Sequence, residues 1–292
     1  MYTTRPAEFT YHRPSSVEEA IALLGSLDDA RPLAGGHSLL PAMKLRLALP
    51  AALVDLGRIP GLASIEEDGD GLRIGALTTH ADVESSELVR RRCSMLAETA
   101  ALIGDRQVRN RGTIGGSLAH ADPGADYPTV VKALDATISV TGPDGQREIE
   151  SGDFFTGVFT TALGTGDLVT SVHVRGASPG SAAAYVKHKH PASGYAVAAV
   201  AAVVTVSGQT CSRARVVVGG VTGVPVDATA AGAALAGSTP NADAIAAAAA
   251  RVGDSLDGAL GDDYASADYR VHLASVIAKR ALTAAFERAQ SA

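Results

Sequence analysis

Apolar and polar positions along this chain follow two different periods, and the switches between them mark out its elements. Val17, Ala20, Ile21 and Leu24 recur at helical spacing ahead of Gly25, and Ser16 and Glu19 stand at capping-box spacing, so a short first helix is predicted. In RPLAGGHSLLPAMKLRLALP the paired glycines precede Leu39, Leu40, Met43 and Leu47 on one helical face, which reads as strand, glycine turn, helix. Residues 52–56 and 72–77 are short apolar runs of buried-strand type, and 88–103 carries a longer helical pattern interrupted by three arginines. A second glycine turn is expected at Gly115-Gly116. Residues 136–140 and 147–150 flank Gly142-Pro143-Asp144-Gly145 as a hairpin, and 168–174 adds a strand.

The pattern changes at Gly176-Ala177-Ser178-Pro179-Gly180, where the main boundary is placed, giving domains 1–176 and 177–292. Beyond it, 182–187, 196–206 and 214–218 read as strands, with Ser207-Gly208-Gln209 turning between the last two. Two or three alanine-rich helices follow. The alanine run 244–250 sits in helical register with Ile245, Val252 and Leu256, which points to close helix packing rather than low complexity. The fold class is α+β.

Composition narrows the function. With 292 residues, 46% of them hydrophobic and 19% charged, the chain buries a substantial core, in keeping with two domains. A net charge of -6 gives no electrostatic reason to expect nucleic acid or an anionic membrane as partner. The apolar stretch 195–206 is shorter than the roughly 20 residues of a membrane-spanning helix and reads as a buried strand. The first residues lack the pattern of a secretory signal, so a cytoplasmic location is expected. Cys93 and Cys211 are too few for a four-cysteine iron–sulfur cluster or zinc site, and are expected to be buried and reduced. His188 and His190 in KHKHP could attract a metal, but no carboxylate or cysteine stands at ligand spacing, and a polar strand end is the preferred reading.

A diphosphate requires dense hydrogen-bond donation and close backbone approach, which paired glycines provide. Gly35-Gly36 meets that need, Ser38 adds a hydroxyl, His37 a further donor, and the following helix its positive end. One such loop is an ordinary strand-to-helix connection. A second, Thr113-Ile114-Gly115-Gly116-Ser117, changes the reading, because two separate nests could clasp opposite sides of one pyrophosphate. No GxGxxG or GxxxxGK[ST] pattern and no nucleophile elbow occurs, so the chemistry is expected to reside in a bound cofactor.

PLAGGHSLLPAMKLRLA and VRNRGTIGGSLAHADPGADYP resemble the two flavin-binding motifs of the medium subunit of carbon monoxide dehydrogenase- and xanthine dehydrogenase-type molybdenum hydroxylases. The likeness continues through YVKHKHPASGYAVAAV and the C-terminal segment. It implies a two-part FAD-binding domain of the vanillyl-alcohol oxidase (PCMH) type, followed by a C-terminal domain with a small antiparallel sheet and helices. By the same resemblance, Ala34, Gly35, Gly36, His37 and Ser38 form the first FAD loop, and Thr113, Ile114, Gly115, Gly116 and Ser117 the second. Asp126 is implied near the FAD ribose, with Asp122 as its local competitor. Lys187 is implied near the flavin, Tyr195 over one face of its ring, and Leu168 at the pocket wall, although core packing is the more natural role for a strand leucine. Family members often carry Arg and Asp near the positions of His190 and Gly194, a departure that bears on polarity around the ring.

The resemblance further implies noncovalent FAD here, with the molybdenum cofactor and [2Fe-2S] clusters confined to a large and a small partner subunit, assembled as a dimer of heterotrimers. Electrons would leave to an external acceptor: oxygen, quinone, cytochrome or NAD. Two alternatives stand beside this reading. One is a self-sufficient FAD-dependent oxidase or dehydrogenase, which lacks an evident proton-abstracting group. The other is a non-catalytic dinucleotide-binding module.

Overall fold

The computed structural model describes residues 5–291; residues 1–4 and 292, the outer ends of the two sequence-based domains, lie outside the described residues. The chain opens with β1 (Thr10–His12), α1 (Val17–Ser26), β2 (Ala30–Leu33), α2 (Leu39–Lys44) and β3 (Ala52–Asp55). The strands form a parallel three-stranded sheet in the order β1-β3-β2, so each return passes through a helix. Ser16 caps α1 as expected, its hydroxyl accepting from the Glu19 N–H at 3.1 Å. The Glu19 carboxylate, however, takes the N–H of Ser15 at 2.7 Å, one residue before the expected partner. Ala20, Val54, Leu56, Ile59 and Leu62 form a small core beneath this sheet, and Leu168 joins it from the next unit.

The second unit comprises β4 (Ile65–Asp68), β5 (Gly71–Gly75), α3 (His80–Ser85), α4 (Glu87–Arg92), α5 (Ser94–Ala101), α6 (Arg106–Arg109), α7 (Ile114–His120), α8 (Asp126–Ala133), β6 (Thr137–Gly142), β7 (Gly145–Glu150), α9 (Ser151–Phe154), the short hairpin β8 (Phe155–Gly157) and β9 (Thr160–Thr161), and β10 (Leu168–Val174). Its five-stranded antiparallel sheet runs β4-β5-β10-β6-β7. Period-two alternation sends Leu72, Ile74, Ile138, Val140, Val172 and Val174 into the core, and leaves Arg73, Thr137, Thr141 and His173 on the opposite face. The expected single helix over 88–103 is two helices, broken at Cys93 (φ −152°, ψ 71°). Three consecutive arginines sweep more than half of a helix circumference. Ending α4 directly after Arg92 keeps all three exposed, and restarting lets Met95, Leu96 and Ala100 of α5 turn inward.

The third unit holds β11 (Ser181–Lys189), β12 (Ala196–Ser207), β13 (Thr210–Gly219) and β14 (Val226–Asp227) in sequential antiparallel order, then α10 (Thr229–Leu235), α11 (Ala242–Ala250) and α12 (Ala267–Ser291). Strand β12 is buried on both faces, which explains its unbroken apolar run. Ala199 and Ala201 join the core built around Tyr127, Val130 and Leu96, whereas Val200, Ala202 and Val204 face α10–α12. Small residues on the first face let α8 approach the sheet closely. Among the described residues no helix is long and apolar enough to cross a membrane.

Candidate functional site

After β2 the chain turns through Ala34–Ser38 before α2 begins. Among the described residues the backbone N–H groups of Gly35, Gly36, His37 and Ser38 find no acceptor. Four consecutive unclaimed donors are groups that a bound anion can satisfy. Gly36 adopts φ +75°, a left-handed conformation natural to glycine. A methyl group at Gly35 would collide with the Arg111 carbonyl oxygen, so this loop lies directly on the chain leading into the second motif. His37 reinforces that contact, its Nε2 lying 3.2 Å from the Gln107 carbonyl oxygen.

The second motif differs from the expected turn: Thr113 is the N-cap of α7, and Gly115 and Gly116 lie inside its first turn. The N–H groups of residues 114–117 are already engaged. Ile114 N–H donates to Thr78 O (3.1 Å), Gly115 N–H to Ala76 O (2.8 Å), and Gly116 N–H to the Thr113 hydroxyl (3.1 Å). A run of consecutive unclaimed amides therefore occurs in the first loop and not over residues 114–117 of the second. The second supplies close approach instead: a Cβ on Gly115 would stand 2.5 Å from that of Ala76, and one on Gly116 would stand 3.7 Å from that of Ala34. Motifs far apart in sequence thus meet at Ala34 and Gly116, with Ser117 half-buried beside them.

Asp126 opens α8 and is 5% exposed, so its carboxylate is not open to solvent. It accepts from Tyr185 Oη at 2.6 Å and from Lys187 Nζ, which also donates to the Gly194 carbonyl at 2.9 Å. Burial pushes the Asp126 carboxyl up, and the Lys187 ammonium and Tyr185 hydroxyl hold back part of that rise. The two residues that the resemblance sets separately around a flavin are here each other's partner. Asp122 Oδ1 takes the Gly124 N–H at 2.9 Å and stays half-buried.

Lys187 and Tyr195 reverse their usual placements, the lysine side chain being 2% exposed and the tyrosine 42%. Tyr195 packs on Gly124, whose added Cβ would lie 3.4 Å from the tyrosine Cβ. Burial and the neighbouring Asp122 push the Tyr195 phenol up, and the nearby Ser38 hydroxyl offsets part of this. Tyr195 therefore closes one side of the region opened by the first loop. Leu168 sits in the small core, 4% exposed. His190 turns its Nδ1 to the Ala192 and Ser193 N–H groups and packs edge-to-face against Tyr264.

Two further residues were not singled out from the sequence. Tyr185 stands two residues before Lys187 on the same strand face, a spacing legible in hindsight. His80 lies beneath the second motif, where its imidazole excludes any side chain at Gly112, and nothing in its local sequence marks it. Its environment, dominated by burial and then by the nearby His37 and Arg109, pushes its pKa down to about 4. A polar groove of about 740 Å³ crosses the outer face of the five-stranded sheet beside Ser139, Ser171 and His173, and none of the candidate residues lines it.

Free amides, excluded side chains and a half-exposed aromatic together fit an extended dinucleotide with a planar ring system. The comparisons agree in kind. Residues 7–174 match the FAD binding domain in molybdopterin dehydrogenase, and residues 183–285 match the CO dehydrogenase flavoprotein C-terminal domain. The chain is 40% identical over 287 residues to the carbon monoxide dehydrogenase medium chain of Afipia carboxidovorans, covering 98% of this chain and 99% of the relative. It is 38% identical over 288 residues to the 6-hydroxypseudooxynicotine dehydrogenase complex subunit alpha of Paenarthrobacter nicotinovorans, covering 98% and 97% of the two chains. Carbon monoxide dehydrogenase from Hydrogenophaga pseudoflava superposes with a TM-score of 0.94 at 43% identity, covering 97% of this chain and 99% of that one.

Proposed function

This chain belongs to the FAD-binding medium subunits of the molybdenum hydroxylases, and from that premise we propose that it is the electron-transferring subunit of a heteromeric complex. It takes electrons from a small iron–sulfur subunit and passes them to an external acceptor, while a large molybdenum-cofactor subunit oxidises the organic or inorganic substrate. Bound FAD supplies the exchange between paired and single electron transfers, and the protein supplies binding and orientation. The observation that carries the reading is the row of unclaimed amides from Gly35 to Ser38, packed against the second motif and flanked by Tyr195.

In this assignment residues 34–38 hold the FAD diphosphate, with Thr113, Ile114, Gly115, Gly116 and Ser117 forming the close wall. Tyr195 covers the flavin ring. Lys187 and Asp126 act as one buried pair that fixes the Gly194 carbonyl at the foot of the Tyr195 turn, and Leu168 contributes its backbone at the pocket margin. The flavin is held noncovalently, the boundary between the FAD-binding and C-terminal domains falls at 176/177, and the complex is a cytoplasmic dimer of heterotrimers. The relatives' names span carbon monoxide and a nicotine derivative as substrates, in keeping with a substrate chosen by the large subunit.

Rapid mixing of the purified FAD-loaded chain with the substrate of its native complex tests the assignment. Flavin bleaching is expected only after the partner subunits are added, and acid denaturation should release intact FAD. Full-rate bleaching by substrate with this chain alone would replace the proposal with a self-sufficient flavoenzyme. An active complex without flavin bleaching would remove this subunit from the electron path.

A further inference from the structure

The turn that carries Tyr195 rests on a side chain contributed by the last helix, far away in sequence. Arg270, 8% exposed on α12, donates through Nη1 to the carbonyls of Val197 (2.9 Å) and Gly220 (2.7 Å), and through Nη2 to the Asp262 carboxylate. Those two carbonyls sit at the ends of β12 and β13 on which the Pro123–Gly124 segment docks. Ala196 N–H donates to Gly124 O at 3.0 Å, and Gly220 N–H donates to Pro123 O at 3.0 Å.

The third contact leads to the loop that packs on His190 at the start of the same turn. Asp262 accepts the N–H groups of Tyr264 (2.9 Å) and Ala265 (2.8 Å), a fold that sets the Tyr264 ring against His190 with centroids 4.5 Å apart. His190 in turn shapes residues 190–195: its Nδ1 accepts from Ala192 and Ser193, and its N–H donates to Tyr195 O at 2.7 Å. One planar fork of donors thus ties the ends of two strands to the loop that packs on the turn. A lysine ammonium at 270 would keep the charge but could not present that fork to three separated acceptors.

We infer that Arg270 is a positioning residue for the flavin site, fixing Tyr195 against Gly124 from the C-terminal helix. The inference rests on the assignment of Tyr195 as the ring's cover. It separates Arg270 from an ordinary helix latch, for which the same helix offers a comparison: Arg288 donates to the Ala183 carbonyl at 2.7 Å and pairs with Glu98, away from the turn.

The test compares Arg270→Lys, Arg270→Met, Arg288→Met and Tyr195→Ala in the FAD-loaded full-length chain, by amide hydrogen exchange and flavin fluorescence. In both Arg270 variants the amides of Ala192, Ser193, Ala196 and Gly220 should exchange about tenfold faster or more, and flavin emission should rise as it does in Tyr195→Ala. Combining Arg270→Lys with Tyr195→Ala should add no further rise, and Arg288→Met should change neither reading. Unchanged exchange at these amides in folded Arg270→Lys would overturn the inference, as would faster exchange with unchanged emission when Tyr195→Ala does raise it. Unchanged emission in Tyr195→Ala itself would sink the ring-cover assignment, while exchange alone would still decide whether Arg270 holds the turn. Arg270→Lys carries the test where Arg270→Met fails to fold.

Discussion

At the scale of single residues, Gly35 is the tightest point of the site, because its Cα hydrogen faces the Arg111 carbonyl rather than a flexible side chain. A Gly35→Ala change must push two backbone segments apart, at a cost of about 1–3 kcal/mol for overpacking. FAD affinity should fall by about tenfold or more, measured by fluorescence titration of the apoprotein. Gly116→Ala meets the Thr113 hydroxyl at 2.7 Å, a side chain that can rotate at the expense of the α7 cap, and should have a smaller effect. Equal affinity in Gly35→Ala and wild type would contradict the close-packed loop. His80 makes a separate prediction. Its folded pKa of about 4 lies below its ordinary value of 6.5, so the neutral imidazole contributes stability that is fully present above pH 6.5 and is lost as the pH falls towards 4. The loss is on the order of 3 kcal/mol. Denaturant melts of wild type and His80→Gln should converge across that window, and parallel curves would show that His80 is not held neutral.

At the scale of elements, the Asp126–Lys187 pair joins the start of α8 to β11, and Tyr185 closes the network from the same strand. Removing one member of a buried pair strands the other charge, so Lys187→Met should cost about 3–5 kcal/mol in urea unfolding. Lys187→Met combined with Asp126→Leu should recover most of that stability, since burying neither charge is close to neutral. FAD affinity should stay depressed in the double variant, because the Gly194 carbonyl loses its Nζ donor at the base of the Tyr195 turn. Full recovery of both would make the pair purely structural. The break between α4 and α5 has its own signature. Cys93 is sealed there, with burial pushing its thiol up to about 11, so thiol reagents at neutral pH should label it only at the rate of unfolding.

At the scale of the whole molecule, the second and last units share one apolar core. Ala199, Ala201, Tyr185 and Val217 of the C-terminal sheet pack with Tyr127, Val130 and Leu96. The C-terminal sheet is covered on its other face by α10–α12, so it is the middle layer of a larger stack. A fragment ending at residue 176 would expose Tyr127 and its neighbours, and should aggregate rather than yield a soluble FAD-binding domain. The intact apoprotein should unfold in one calorimetric transition. Two resolved transitions, or a soluble folded fragment, would show that the units are energetically independent.

Local pattern determined much of this protein by itself. The helix behind Ser16, the hairpin around Gly142–Gly145, strand 168–174 and the long strands of the C-terminal sheet were legible because period-two and period-three-to-four patterns report which face of an element is buried. The glycine motifs were legible because two similar Gly-Gly pairs occur together where either alone is ordinary, and the resemblance carried by them matches the family to which the chain belongs. Local sequence could not show that Ile114 and Gly115 spend their amides inside the protein, since their acceptors, Thr78 and Ala76, come from a different part of the chain. Nor could it show that Asp126 and Lys187 pair, that Tyr195 rather than Lys187 stays exposed, or that Arg270 underlies the Tyr195 turn. Each of these is a contact between residues far apart in the chain, and hydrogen-bond partners at such separation are set by the packing of whole elements. Periodicity determined which residues face inward; only the tertiary structure decided which of them meet.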